Sequence, residues 1–316
     1  PCHESVPVRL LNAPSAPTQQ QIDEHNASMH IPYRSWCPIC VWGQGKEKGH
    51  IEQSVKPSTP FFESDYCFLT SRSTPDAPNA EKITVYVVKE RNSKNIFTTV
   101  VPQKGLDPEG FAVQFFMQCI GELGYQNTSI TIKSDQEPAI KAIIDRIVGQ
   151  RTAQTLREES PVGSSQSNGS IESAVDIVEA QIRKGRLALE HNYMHKIPVS
   201  HGIVPWLVKH GGYAICRFLV GHDGKTPYER VRGRPFKSEV VEFGETVHFK
   251  RPKNTIGPGL NKWDSRWGVG IFVGVRTISG EQYVSTSEGT YKARTCLLYT
   301  SPSPRDQRGS RMPSSA

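Results

Sequence analysis

Asp65, Asp135 and Glu172 are three carboxylates of the kind that share metal ions, although the chain holds them far apart. Sixty-nine residues lie between the first two and 36 between the second pair. Hard divalent cations take oxygen ligands, and carboxylates also offset their charge. Two such ions, roughly 3.5–4 Å apart, activate an attacking oxygen and stabilise the leaving one in an in-line phosphoryl displacement. An Asp on a central strand can bridge both ions, while the other two acids each complete one site. Each residue also has a plainer explanation. Asp135, between Ser134 and Glu137-Pro138, can cap a helix. Glu172 in a first helical turn is stabilised by the helix dipole alone. Asp65 is harder to dismiss. It stands between Phe61-Phe62 and Cys67-Phe68-Leu69, on a strand expected to be buried, where an unpaired acid is costly.

A second group has a different chemistry. His25 and His30, followed by Cys37 and Cys40, offer two imidazoles and two thiolates, a set that suits tetrahedral Zn²⁺. Ile31-Pro32 should end the helix that carries the histidines, which allows both to turn to one ion. Only six residues lie between His30 and Cys37, so His50 is a substitute ligand to consider. The alternative is two thiols beside surface histidines.

The elements that must position these groups follow from periodicity. Residues 1–20 read as linker and 21–50 as a short helical segment with the His/Cys group. Strands are expected over Phe61–Leu69, Ile83–Val88 and Asn95–Val101, where β-branched and aromatic residues dominate. A helix follows over Pro108–Leu123, then a strand over Ser129–Lys133 that leads directly into Asp135. Ile140, Ile143, Ile144 and Ile147 give the next helix its buried stripe, and a fifth strand is expected near 152–156. Glu159–Asn168 reads as a mobile loop. A long amphipathic helix starts near Ser170, with Ile171, Val175, Val178, Ile182 and Leu189 as its stripe. This order, β-β-β-α-β-α-β-α over residues 58–222, is a mixed α/β sheet with helices on its faces. Residues 223–295 read as a linker and a small β-barrel, with strands at Glu245–Lys250, Gly268–Val275, Gln282–Ser285 and Thr290–Ala293. Residues 296–316 have no period, and the string from Leu298 to Arg305 resembles translated sequencing-adapter DNA. They are expected to be a non-native tail. Pro1 in place of Met suggests a piece of a longer polyprotein.

Charge is concentrated late in the chain. The formal net charge is +7, and residues 225–295 hold 13 basic side chains against 7 acidic ones. Such a segment suits a polyanion, with DNA or RNA the first candidate, or is simply a solvated basic surface. Candidate phosphate contacts are Arg183, Lys184 and Arg186 on the long helix, then Arg232, Arg234, Lys250, Arg251 and Lys253. Trp263 and Trp267 interleave with Lys262 and Arg266, which suits base stacking or the core of a small barrel. Seven scattered cysteines form no disulfide framework and fit a reducing compartment, nucleus or cytoplasm. No stretch has the ~20 apolar residues of a membrane helix.

Several segments carry a resemblance. Lys133-Ser134-Asp135-Gln136-Glu137-Pro138 and Ser165-Gln166-Ser167-Asn168-Gly169-Ser170-Ile171-Glu172, at this spacing from Asp65, resemble the retroviral integrase superfamily, with copia-type retrotransposon integrases nearest. Lys225-Thr226-Pro227-Tyr228-Glu229 and Gly270-Ile271-Phe272-Val273-Gly274 resemble copia-type segments beyond the core, and the His/Cys group resembles the family's N-terminal zinc module. The resemblance covers roughly residues 20–295. It implies an RNase H-like core in which Asp65, Asp135 and Glu172 hold Mg²⁺ or Mn²⁺. It also implies trimming and joining of element DNA without a covalent enzyme intermediate, and work as a homo-oligomer. One departure stands out: Asp176 and Glu179 share a helix face with Glu172, where the family often places basic residues. That acidic face would repel a phosphate backbone, so the resemblance also admits an inactive, DNA-binding remnant or a transposase or nuclease of the same superfamily.

Overall fold

The computed structural model describes residues 15–27, 34–38, 59–71, 81–159, 168–251, 263 and 265–298. Contacts divide the chain into two units, Pro1–Glu52 and Gln53–Ala316. The first contains helix α1 (Gln19–Ala27), in which His25 is buried.

The second unit is built on a five-stranded sheet. Its strands are β1 (Phe61–Thr70), β2 (Lys82–Glu90), β3 (Asn95–Val101), β4 (Ile130–Ser134) and β5 (Thr155–Glu159), in the order β3-β2-β1-β4-β5. β1, β2 and β3 are antiparallel neighbours, whereas β4 runs parallel to β1 and β5 parallel to β4. The central strands are buried on both faces, as the run Val85-Tyr86-Val87-Val88 shows, with none of the four exposed. Alternation then divides them between two cores. Tyr86 and Val88 face α2 (Phe111–Glu122) and α3 (Pro138–Gln150), packing with Phe62, Phe116, Ile132 and Ile140. Val85 and Val87 face α4 (Gly169–Tyr193) and α5 (Val204–Phe218), packing with Cys67, Ile171, Val178 and Leu207. The result is a three-layer mixed α/β unit with helices on both faces, as the periodicity predicts. The fifth strand lies at Thr155–Glu159, a little later than expected, as an edge strand whose side chains are mostly exposed.

The α5 helix is absent from the sequence reading. Gly211 and Gly212 interrupt its pattern, and glycine costs a helix interior about 1 kcal/mol relative to Ala. The sheet explains Gly212. A Cβ there would come within 2.6 Å of Thr98 Oγ1 and 3.2 Å of Ile96 O. Thr98 Oγ1 itself donates to Val208 O at 2.6 Å. The helix therefore lies directly against β3, and only a residue without a side chain fits at the crossing.

After α5, the motif at Lys225–Glu229 proves to be a helix start. In α6 (Pro227–Arg232), Thr226 Oγ1 accepts from Glu229 N–H and Glu229 Oε2 accepts from Thr226 N–H, a reciprocal capping box. Five further strands follow: β6 (Thr246–Lys250), β7 (Trp267–Val275), β8 (Gln282–Thr286), β9 (Gly289–Ala293) and β10 (Cys296–Leu298). They form an antiparallel sheet in the order β10-β6-β7-β8-β9 over a core of Val247, Phe249, Phe272 and Val284. Among the described residues no ladder joins β9 to β10, so the expected barrel is here an open sheet. The sheet also runs past position 295, where the tail was expected to begin. β10 pairs residue by residue with β6 through Cys296↔Phe249 and Leu298↔Val247. Residues 299–316 lie outside the described residues.

Gly212→Ala should lower stability by about 1–3 kcal/mol, because overlap with β3 outweighs the helix-propensity gain. Gly149→Ala, in α3 with nothing within 4 Å of the added Cβ, should instead gain up to about 1 kcal/mol. Urea unfolding of both variants checks this, and a neutral Gly212→Ala would show that α5 does not lie so close to β3.

Candidate metal site

The register of one short ladder brings the two aspartates together. β1 and β4 pair in parallel through Phe61↔Thr131, Phe62↔Ile132 and Glu63↔Lys133, and pairing stops there. Two residues further along the same register, Asp65 falls opposite Asp135. Both stand beyond the last paired residues, where the strands part. Asp65 is still held from the other side, where β2 pairs it with Val87.

The turn out of β4 adds a third acid. Asp135 Oδ1 accepts from Glu137 N–H at 3.1 Å, a side-chain-closed turn that redirects the chain into α3 at Pro138. Ligand oxygens of Asp65, Asp135 and Glu137 all lie within 4.8 Å of one another, the one such group among the described residues. Asp65 Oδ1 accepts from Tyr66 N–H at 2.7 Å. Lys104 Nζ lies 2.5 Å from Glu137 Oε1. Burial pushes the Asp65 carboxyl up to about 6; the Tyr66 N–H opposes this, the charges of Asp135 and Glu137 add to it, and Lys104 opposes it.

The donor set consists of carboxylate oxygens only, which fits a hard divalent cation better than zinc, which favours nitrogen and sulfur. The cleft lined by Glu63, Asp65, Asp135, Asn168 and Ile171 has a volume of about 10 Å³. That is the scale of a single water-sized sphere, and so of an ion. Crowded carboxylates that repel one another are stabilised most by such an ion.

Asn168 and Ile171 reach this cleft because a buried clasp fixes the start of α4. Glu63 and Lys89 are directly opposite on β1 and β2 and both are buried. Ser170 Oγ donates to Glu63 Oε2 at 2.5 Å, and Lys89 Nζ donates to Ser170 O at 2.7 Å. Burial pushes the Lys89 ammonium down to about 8, with the Glu63 charge working against it. Glu172 follows in the first turn of α4 and is exposed. It is not part of the Asp65–Asp135–Glu137 group. The structure therefore joins two of the three expected acids and adds one that sequence reasoning passed over. The signal for Glu137 was present in Asp135-Gln136-Glu137-Pro138, where Glu137 also reads as the residue that opens a helix at Pro138. Nothing in the sequence marks Lys104 or Glu63.

The other expected residues are dispersed. Arg183, Lys184 and Arg186 are exposed on α4, and Arg186 Nε donates to Glu190 at 2.9 Å. Of the two unexpected acids on that helix, Asp176 is exposed and Glu179 half-buried. Arg232 and Arg234 are exposed at a cavity of about 680 Å³, which α5 and the second sheet line away from the acids. Lys250 and Arg251 are exposed at the end of β6, and Lys253 lies outside the described residues. Trp263 is 98% exposed, so it is no part of a barrel core. In the first unit, His25 and Cys37 are both buried, and the His25 ring meets Trp36 edge-on at 5.0 Å. His30, Cys40 and His50 lie outside the described residues. No described helix is long and apolar enough to cross a membrane.

No protein-family model matches the sequence, and no curated protein does. Among solved structures, the chain is similar to one from the simian T-cell lymphotropic virus intasome in complex with a PP2A regulatory subunit. That match has 16% identity and a TM-score of 0.46, over 90% of this chain and 95% of the other. It is also similar to the HTLV-2 integrase catalytic core domain in complex with magnesium, in its trimeric form, at 13% identity and TM-score 0.40 over 56% of this chain and 99% of that one. For the BIV integrase core domain the values are 19% and 0.35, over 55% and 93%.

Two outcomes follow from this geometry. An acid whose folded pKa is raised from 3.8 to about 6 destabilises the fold when it ionises, so its contribution falls as pH rises between those values. Without divalent ions, Asp65→Asn should therefore gain thermal stability over the parent protein between pH 4 and 7, and Mg²⁺ should stabilise the parent more than the variant. Superimposable pH profiles would contradict the burial of the Asp65 carboxyl beside these acids. Ser170→Ala, which strips a hydrogen bond from buried Glu63, should cost about 1–3 kcal/mol in chemical unfolding.

Proposed function

We propose that this chain is an integrase-type, metal-dependent polynucleotidyl transferase of a copia-like retroelement, with an RNase H-like core that processes and joins DNA ends. The observation that carries the reading is the pair Asp65 and Asp135, matched in register at the parting of two parallel strands and facing a shared cleft. In this reading the two aspartates hold Mg²⁺ or Mn²⁺, and Glu172 supplies the third carboxylate from the first turn of α4. Its neighbours Asn168 and Ile171 already wall the cleft, which supports that assignment. Bound ions would supply activation of the attacking oxygen and stabilisation of the leaving one. The chain's own residues then have distinct tasks. Asp65 and Asp135 fix the ligand oxygens, the Glu63–Ser170–Lys89 clasp fixes the start of α4, and Ile171 excludes water from one wall.

The partner is DNA, at the element ends and at the target, gripped through Arg183, Lys184, Arg186, Arg232, Arg234, Lys250, Arg251 and Lys253. These contacts are to phosphates, so binding should be largely independent of sequence and weakened by salt. Residues 21–50 form a zinc module with His25, His30, Cys37 and Cys40 as ligands, and the working form is a homo-oligomer acting in the nucleus or cytoplasm.

A second reading, a DNA-binding remnant without catalysis, is favoured by one observation: Glu172 stands outside the acid group, next to the acidic Asp176. Incubation of labelled donor ends with a target plasmid and Mg²⁺ separates the readings. The proposed enzyme joins the two, Asp135→Ala and Glu172→Gln reduce joining to background, and duplex affinity changes by less than about threefold. Nicking without joining would indicate a nuclease, and DNA binding without either would indicate the remnant. Joining that survives Glu172→Gln but not Glu137→Gln would move the third ligand to Glu137.

A further inference from the structure

Lys104 is the cation beside the acid group, and its placement is specific. It follows β3 in a segment whose backbone is pinned: Gly105 N–H donates to Tyr66 Oη at 2.9 Å, and Gln103 Nε2 donates to Leu106 O at 2.6 Å. Gly105 has φ +79°, and a Cβ there would touch Ala139 in the first turn of α3 at 3.4 Å. The base of the lysine is thus fixed against the helix that Glu137 opens. Its ammonium lies 5.3 Å and 5.1 Å from the ring centres of Tyr66 and Phe68. The side chain is 38% exposed and Glu137 27%, so the pair sits at the surface of the site, where incoming DNA would pass.

We propose that Lys104 is a DNA-phosphate contact whose ammonium is stored on Glu137 until a divalent ion occupies the acids. The inference rests on the function proposed above and adds a residue and an order of events to it. An ion pair this exposed is worth at most about 1 kcal/mol, so it is readily exchanged. A dication among the carboxylates repels the ammonium and offers Glu137 a stronger partner. The flexible four-carbon stem then lets the charge swing outward while the backbone stays anchored. Without the ion, Lys104 neutralises an acid and has no charge to spare for DNA; with it, one more cation faces the phosphates.

The test compares the parent protein with Lys104→Met and Lys104→Arg. Mn²⁺ titration followed by electron paramagnetic resonance should show Lys104→Met binding Mn²⁺ roughly two- to fivefold more tightly, since a competing cation has gone. Anisotropy of a labelled duplex in Ca²⁺ should show Lys104→Met binding more weakly, with the slope of log affinity against log salt reduced by about 0.9, one phosphate contact. Lys104→Arg should keep that slope. In EDTA, Lys104→Met should lose less duplex affinity than in Ca²⁺, and its salt slope should match the parent's, because only the neutralisation of Glu137 is lost there. A methionine variant that binds Mn²⁺ no more tightly, or that loses as much DNA affinity in EDTA as in Ca²⁺, would overturn the storage role. A parent protein that binds no Mn²⁺ would instead remove the proposed function, and this inference with it.

Discussion

The architecture turns on a ladder of only three residue pairs. Were β1 and β4 to continue pairing, Asp65 and Asp135 would be neighbours in a closed sheet. Because pairing ends at Glu63 and Lys133, the next residues can separate and leave a gap between strands. Parallel pairing sets which residues flank that gap, and the turn closed by Asp135 sets where the chain goes next. Charge repulsion among the acids is tolerated because the rest of the sheet is over-determined. Val85, Tyr86, Val87 and Val88 on the neighbouring strand are wholly buried between two helical layers.

A buried acid and a buried base near such a site do more than add stability. Glu63 and Lys89 lie opposite each other on adjacent strands, and apolar residues of the same size would serve the core as well or better. What apolar residues could not do is hold Ser170 by both its hydroxyl and its carbonyl. The pair thereby connects the centre of the sheet to the first turn of a 25-residue helix. Precision at the cleft is achieved through polar contacts at its border, while the longer stripe from Ile171 to Leu189 supplies adhesion.

Much of this was legible in the residues. Ile140, Ile143, Ile144 and Ile147 recur at helical spacing and are all buried, and Asn95–Val101 reads as a strand and is one. Asp65 was identifiable because a carboxylate in an apolar strand demands a partner, and Asp135 through the resemblance carried by Lys133–Pro138. The limits have physical causes. Gly211-Gly212 concealed α5, because a residue chosen for close approach looks locally like a helix breaker. Glu137 was hidden by its second role at a helix start, and Lys104 by distance in sequence from everything it touches. Closure of the second sheet could not be read from strand pattern, since alternation is the same in an open sheet and a barrel.

The three residues of β10 have a practical consequence. They occupy the outer edge of β6, so a chain ended at 295 would leave the N–H and C=O groups of His248, which point to that side, facing solvent. An uncovered strand edge of this kind is a template for sticking to another copy. A recombinant fragment trimmed to the apparent end of the domain would then self-associate through that edge, and the resulting oligomers would be an artefact of the trimming.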